Sequence, residues 1–158
     1  MENSILFNSV ISILKIYYIY IGNRRDKMTL LKWKDEYSMG EEEIDNQHKG
    51  LFKLSNEIYD LVEAGVDDNE HFRDLFMRLN DYSVEHFIYE EMYMETEEYP
   101  KLQEHINQHL EFNNKLRELC VGIDKETHIK DIGEFITIWL VQHVLNEDME
   151  YKIFIDAK

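Results

Sequence analysis

The spacing of apolar residues constrains this chain most, because in four stretches they recur at every third or fourth position. The stretches run from about 41 to 64, from about 69 to 95, from Pro100 onward, and from about 126 to 151. A stripe with this period covers one face of an α-helix and has to be buried against neighbours. One proline and six glycines in 158 residues permit long uninterrupted helices. The pattern predicts an all-α fold, an antiparallel up-down four-helix bundle with short connections.

The composition narrows the classes of function. Hydrophobic residues make up 44% of the chain, which is typical of a globular domain, and the length fits one domain. A net charge of −16 excludes nucleic-acid binding and disfavours anionic membranes, since both need a basic surface. The single cysteine, Cys120, allows no disulfide or cysteine-based zinc site within one chain. We expect Cys120 to be a small core residue, and the chain to work in the reducing cytoplasm.

The first residues differ from the rest of the chain. Residues 5–21 are mostly apolar but marginal in length for a membrane-spanning helix, which needs about 20 such residues. The segment lacks the charge pattern and the cleavage site of a signal peptide. Met28 then opens a stretch that is typical of the start of a soluble domain. We therefore expect 1–27 to be a dispensable extension and 28–158 to be the functional domain; a membrane anchor through residues 5–21 is the alternative.

Polar residues stand at several positions that the helical period assigns to the core, and they come from all four stretches. These residues are His48, His86, Glu90, His105, His109 and His143. Antiparallel packing sets the late part of one helix beside the early part of the next. All six residues should therefore lie in one layer near one end of the bundle. His71 and His128 fall toward the opposite end and are expected at the surface.

Such a layer is costly unless a cation binds in it. One buried histidine is usually a hydrogen-bonded core residue, but an unpaired buried polar group costs about 1–3 kcal/mol. Summed over five imidazoles and a carboxylate, this cost approaches the whole stability of a small domain, about 5–15 kcal/mol. Imidazole with carboxylate suits iron, zinc, manganese or copper. Five histidines are too many for one tetrahedral zinc, whereas two metals sharing bridging carboxylates would use them all.

The motifs around these residues resemble the hemerythrin family, in its single-domain bacterial form (bacteriohemerythrin), over roughly residues 30–152. The motifs are EEEIDNQH ending at His48, HFIYE beginning at His86, YPKLQEHINQH ending at His109, and WLVQHVLNED over residues 139–148. The resemblance implies a non-haem di-iron centre that binds dioxygen reversibly, and a protein that is not an enzyme.

The resemblance also implies which residues hold the two irons. One iron would be bound by three histidines: His105, His109 and His143. The other would be bound by two: His48 and His86. Two carboxylates, Glu90 and Asp148, would bridge the irons together with an oxo or hydroxo group. The second iron then has five ligands against six, and its open position is where dioxygen would bind.

The position of Asp148 does not follow from a regular helix. Glu147 lies four residues after His143 and would share its face, whereas Asp148, at five residues, would be turned about 140° away. The family pattern requires Asp148. We therefore predict either a local widening of the helix there or a side chain that reaches back.

Reversible oxygen binding also needs a small, dry, apolar pocket, and Leu51 and Leu140 are the predicted lining because each lies about one turn from a histidine of the layer. The predicted role is oxygen storage, transport or delivery to oxygen-requiring enzymes, by a monomer. The alternatives are an oxygen sensor and a di-iron oxidase of the four-helix-bundle type. The Glu-x-x-His motifs of that second alternative do not occur here.

Overall fold

A computed structural model describes residues 31–64, 69–120 and 126–158, without the side chains of residues 69, 120 and 126–131. The predictions for the extension 1–27, for Cys120 and for the side chain of His128 lie outside the described part. Among the described residues, no helix is both long enough and apolar enough to cross a membrane.

Four long helices form within the described ranges. They are α1 (Glu42–Glu63), α2 (Asn69–Thr96), α3 (Leu102–Cys120) and α4 (Glu126–Gln142). A π-helical segment, His143–Asp148, continues α4, and a short helix, α5 (Met149–Asp156), follows it without a break. A single 3₁₀ turn, Asp35–Tyr37, precedes α1.

The helices pack in a closed order, with α1 against α2 and α4, α2 against α3, and α3 against α4. Successive helices run in opposite directions, so the end of α2 lies beside the start of α3. This is the antiparallel up-down four-helix bundle that the apolar period predicts.

The turn between α2 and α3 is tight. Glu98 has a φ of +51°, in the left-handed region. Around it the N–H of Tyr99 donates to the carbonyl of Met94, and the N–H of Glu98 to that of Glu95. These two bonds form a Schellman motif, which satisfies the last carbonyls of a helix. The third helix begins at Leu102, two residues later than predicted, because Pro100 belongs to this turn.

A segment without long helices, residues 31–40, leads into α1 and packs against it. The backbone N–H and carbonyl of Leu31 pair with the side-chain amide of Asn56. The ring of Trp33 lies 6.2 Å from that of Phe52 and 6.4 Å from that of His48. Glu41 caps α1 by accepting a hydrogen bond from the N–H of Ile44 at 2.7 Å.

The apolar core of the described residues forms two clusters of unequal size. The larger fills most of the bundle, from Leu51 and Leu140 toward the end where α3 and α4 are joined. The smaller closes the opposite end and contains five buried residues: Met39, Ile44, Met94, Tyr99 and Tyr151. The sequence positions between these clusters are the ones that carry the predicted histidines and acids.

Candidate metal centre

The structure brings all seven predicted ligand residues together in one buried layer between the two apolar clusters. None has more than 4% of its surface exposed. The seven are His48 on α1, His86 and Glu90 on α2, His105 and His109 on α3, and His143 and Asp148 on the π segment. His71, which was predicted to lie elsewhere, is exposed near the start of α2.

The layer divides into two groups of potential ligand atoms that share Glu90. One group contains three histidines: His105, His109 and His143. The other contains two: His48 and His86. Within each group, with Glu90 included, one ligand atom per residue lies within 4.8 Å of all the others. Each group is therefore compact enough to surround one cation.

Asp148 lies between the two groups. Its Oδ2 is 3.2 Å from Nε2 of His48, and its Oδ1 is 3.2 Å from Nε2 of His143 and 3.4 Å from Nε2 of His105. The two oxygens of one carboxylate thus face different histidine groups, as a bridging ligand requires.

The π segment is what turns Asp148 inward. A π-helix has i→i+5 hydrogen bonds and more residues per turn than an α-helix, so the fifth residue after His143 comes back to its face. The predicted local widening is therefore confirmed. Glu147 points away from the layer, and its Oε2 accepts a hydrogen bond from Nε2 of Gln108 at 2.9 Å.

Glu90 faces both groups, although less symmetrically. Its Oε2 lies 3.2 Å from Nε2 of both His105 and His109, and 3.8 Å from Nε2 of His86. Its Oε1 is 3.9 Å from Nε2 of His48. The hydroxyl of Tyr151 donates to this Oε1 at 2.8 Å, which holds the carboxylate from the side of the small apolar cluster.

Burial keeps most of the imidazoles neutral. It lowers the pKa of His86 to about 3, and it also lowers the pKa values of His48 and His143. A neutral imidazole has a free lone pair, which is the form that binds a metal. His109 differs: burial opposes its protonation, but hydrogen bonds to Glu90 and Glu91 raise its pKa to about 9.

The two buried carboxyls respond in opposite directions to the same environment. Burial, followed by repulsion from Glu90, raises the pKa of Asp148 well above its ordinary value. Burial also opposes ionisation of Glu90, but attraction to His86 and hydrogen bonds from His105 and His109 bring its pKa well below the ordinary value. Without a cation, the layer cannot hold both acids ionised at low cost.

Unpartnered buried atoms show that this layer fits a cation. Despite the short distances given above, neither nitrogen of His48, nor Nε2 of His86, nor either side-chain oxygen of Asp148 makes a hydrogen bond within the described part of the chain. Each such atom costs about 1–3 kcal/mol when left unsatisfied. Nitrogen and carboxylate donors of this kind suit iron and other first-row transition metals.

The wall of the layer toward the large cluster is apolar and aromatic. Leu51 and Leu140 are each 1% exposed and belong to that cluster. The ring of Phe87 stacks on His109 with centroids 3.8 Å apart, and that of Trp139 on His143 with centroids 4.3 Å apart. These stacked rings restrict the rotation of two of the imidazoles.

Three polar residues around the layer were not predicted from the sequence. Gln47 and Glu91 contact the outer nitrogens of His86 and His109, and Tyr151 binds Glu90. A weak signal existed for each, because Gln47 and Glu91 directly adjoin predicted ligands and Tyr151 follows Asp148 by three residues. Adjacency alone gives no direction for the side chain, so only the structure identifies their roles.

Comparison with known proteins gives a consistent result. Residues 39–154 match the family described as the hemerythrin HHE cation binding domain. A bacteriohemerythrin of Clostridium acetobutylicum is 33% identical over 124 residues, which cover 75% of this chain and 96% of that protein. Myohemerythrin-1 of Phascolopsis gouldii is 32% identical over 123 residues, covering 76% and 90%. A bacteriohemerythrin of Pseudomonas aeruginosa is 29% identical over 127 residues, covering 78% and 80%.

The matched region includes every residue of the buried layer, and the histidine and carboxylate groups suit a cation-binding domain. The non-haem di-iron centre expected from the sequence is the cofactor of hemerythrins, which are oxygen-binding proteins. The chain belongs to the hemerythrin family.

Proposed function

We propose that this chain carries dioxygen reversibly at a di-iron centre, for storage, transport or delivery to oxygen-requiring enzymes. The observation that carries the proposal is the inequality of the two groups that share Glu90, since one contains three histidines and the other two, with Asp148 between them. If Glu90 and Asp148 gave each iron the same number of oxygens, the iron beside the smaller group would have one ligand fewer and could accept an external ligand.

In this proposal the residues divide the work as follows. One iron is held by three histidines: His105, His109 and His143. The second is held by two: His48 and His86. Glu90 and Asp148 connect the two sites. When bound, the iron pair supplies the electrons that make dioxygen binding possible and reversible.

The surrounding protein excludes water from the site and holds the ligand residues in position. Leu51 and Leu140 would line the oxygen pocket, where apolar side chains keep out the water and protons that promote irreversible oxidation. Their burial beside the layer supports this role. Tyr151 holds Glu90 through a hydrogen bond. We propose that residues 28–158 form the oxygen-binding domain, working as a cytoplasmic monomer.

An oxygen titration tests the function. The chain is loaded with ferrous iron without air, its iron content is measured, and oxygen is added and removed while the visible spectrum is recorded. We expect two irons per chain, and a visible band that appears with oxygen and disappears on deoxygenation. One iron per chain, or irreversible oxidation coupled to turnover of an added substrate, would contradict an oxygen carrier.

A matched pair of histidine variants controls this experiment. His86→Ala removes a residue of the smaller group, whereas His71→Ala removes an exposed histidine near the other end of the same helix. We expect His86→Ala to lose stable binding of the iron pair and His71→Ala to retain it. A His86→Ala protein that still held two irons and bound oxygen would contradict the ligand assignment.

A further inference from the structure

The outer nitrogen of His109 has a charged partner. Its Nδ1 lies 2.7 Å from Oε1 of Glu91, on the side of the ring away from the layer. The His109 side chain is 2% exposed and that of Glu91 is 28% exposed, so the pair is shielded from most of the solvent. A carboxylate accepts hydrogen bonds and donates none, so Nδ1 of His109 must carry the hydrogen.

The outer nitrogen of His86 has a neutral partner instead. Its Nδ1 lies 3.0 Å from Oε1 of Gln47 on α1. The amide nitrogen of Gln47 donates to Oε1 of Glu43 at 2.9 Å, one turn earlier on the same helix. This second bond orients the amide, because its NH₂ group must face the Glu43 carboxylate. Its carbonyl therefore faces His86, and Nδ1 of His86 must also carry its hydrogen.

Both rings therefore carry a hydrogen on Nδ1 and turn Nε2 toward the layer, where it can bind a cation once Nε2 has no hydrogen. Nε2 of His86 has no hydrogen-bond partner among the described residues, and Nε2 of His109 is hydrogen-bonded to that of His143 at 2.9 Å. A cation bound among these ligands would take the place of the hydrogen between the two nitrogens. The residues outside the layer thus determine which ring atom can bind metal.

We propose that Glu91 and Gln47 are positioning residues that hold His109 and His86 as Nε2 ligands and make the two iron positions electronically unequal. The proposal rests on the proposed di-iron function and adds a regulation of that site. A carboxylate that accepts a hydrogen bond from Nδ1–H draws that hydrogen toward itself, and Nε2 then gives its electron pair to a metal more strongly. A neutral amide has the same effect to a smaller degree. The His109 side should therefore favour the more oxidised iron state, and the His86 side the ferrous state.

Moving the charge tests this inequality. Glu91→Gln removes the charge beside His109 and keeps an acceptor of nearly the same shape. The double variant Glu43→Gln with Gln47→Glu moves a carboxylate next to His86 without changing the net charge, and it keeps an amide–carboxylate pair between the two positions. Glu95→Gln removes one charge from an exposed position one turn further along α2, and is the control for long-range effects.

Two measurements apply to each variant. The first is the midpoint potential of the di-iron centre, measured by spectroelectrochemistry. The second is the affinity for Zn²⁺, together with a ¹⁵N NMR spectrum that shows which histidine nitrogen binds Zn²⁺; neither of these depends on oxygen binding. We expect Glu91→Gln to raise the potential, the double variant to lower it, and Glu95→Gln to leave it near that of the parent chain. Glu91→Ala should weaken Zn²⁺ binding about 10- to 100-fold, with Glu91→Gln between it and the parent.

The outcomes separate this inference from the proposed function. Three outcomes would each overturn the inference while leaving oxygen carriage in place. The midpoint potentials of Glu91→Gln and Glu95→Gln could be equal, or Glu91→Gln and the double variant could shift the potential in the same direction. The third outcome is that His109 or His86 binds Zn²⁺ through Nδ1. Failure of the parent chain to bind oxygen, with Nε2 ligation of Zn²⁺ and Glu91-dependent affinity intact, would instead overturn the oxygen function and support the positioning roles.

Discussion

The hydroxyl of Tyr151 donates a hydrogen bond to Oε1 of Glu90 at 2.8 Å, and both side chains are fully buried. The bond links the last helix of the chain to the acid that faces both histidine groups. It also fixes one oxygen of Glu90, so that the other is free to face His105 and His109.

We expect Tyr151→Phe to lower the free energy of unfolding by about 1–3 kcal/mol, because it removes a hydrogen bond to a buried charged group. It should also weaken metal retention, since Glu90 loses its fixed orientation. Tyr99→Phe is the control, because it removes the hydroxyl of a neighbouring tyrosine whose ring centroid lies 6.1 Å from that of Tyr151. Urea unfolding and iron release to a chelator measure the two effects; equal behaviour of the two variants would refute a special role for the Tyr151 hydroxyl.

The register of the π segment can be tested with two neighbouring acids. We predict that Asp148→Asn weakens metal affinity about tenfold or more. Loss of a residue that only supports a ligand typically lowers metal affinity about 10- to 100-fold, so loss of a ligand should lower it at least as much. Glu147→Gln should retain two metals per chain, because Glu147 contacts Gln108 outside the layer. Metal titration checks both variants. The reverse order of effects would mean that the helix in solution has the regular four-residue register.

The pocket prediction compares two leucines that are equally buried, Leu140 and Leu116. Truncating either leucine to alanine should lower the free energy of unfolding by about 2–5 kcal/mol. The cavity at Leu140 lies one turn from His143 and has polar atoms nearby that can hold water, whereas the one at Leu116 lies within the apolar cluster and should stay dry. We therefore expect Leu140→Ala, but not Leu116→Ala, to speed irreversible oxidation in air. The decay of the oxygen-dependent absorption measures the rate. Equal decay in both variants would exclude Leu140 from the pocket.

The turn after α2 offers a prediction about stability alone. Glu98 is exposed and has a positive φ, a conformation that costs a residue with a side chain about 1–2 kcal/mol and glycine almost nothing. After the greater flexibility of glycine in the unfolded chain is subtracted, Glu98→Gly should stabilise the protein by about 0.5–1 kcal/mol. Urea unfolding provides the measurement.

Two controls separate backbone strain from charge at this turn. Glu98→Gln removes the charge without relieving the strain and should have little effect. Glu95→Gly places the same glycine within the helix and should destabilise the protein by about 0.5–1 kcal/mol. Stabilisation by Glu98→Gln equal to that by Glu98→Gly would show that charge repulsion, and not φ, is the cause.

Helix positions and the burial of the polar layer could be predicted because both depend on local periodicity. The predicted first and second helices, 41–64 and 69–95, agree with the observed bounds to within one residue. His86 and Glu90 are four residues apart and share a face of a regular helix, so apolar spacing alone places them in the core. The later start of α3 was missed because Pro100 suits both a first helical turn and the turn before it.

Other features depend on contacts that periodicity does not encode. The orientation of Asp148 came from the family resemblance, since a regular helix points Glu147 inward instead. Glu91 could be assigned to His109 only after α2 and α3 had been placed side by side. The segment 31–40 has no repeating pattern, so neither its hydrogen bond to Asn56 nor the contact of Trp33 with His48 could be predicted.

The π segment has an effect beyond the residue it turns inward. It advances the phase of every later position by about one residue, or about 100°, compared with an uninterrupted α-helix. Inserting one residue between His143 and Asp148 would therefore rotate Tyr151 away from Glu90 along with Asp148, so the acid and the phenol would be lost together, whereas deleting one would restore a regular α-helix with both still facing the layer. Changes of residue type at exposed Asn146 should be tolerated in this stretch, whereas an inserted residue should not.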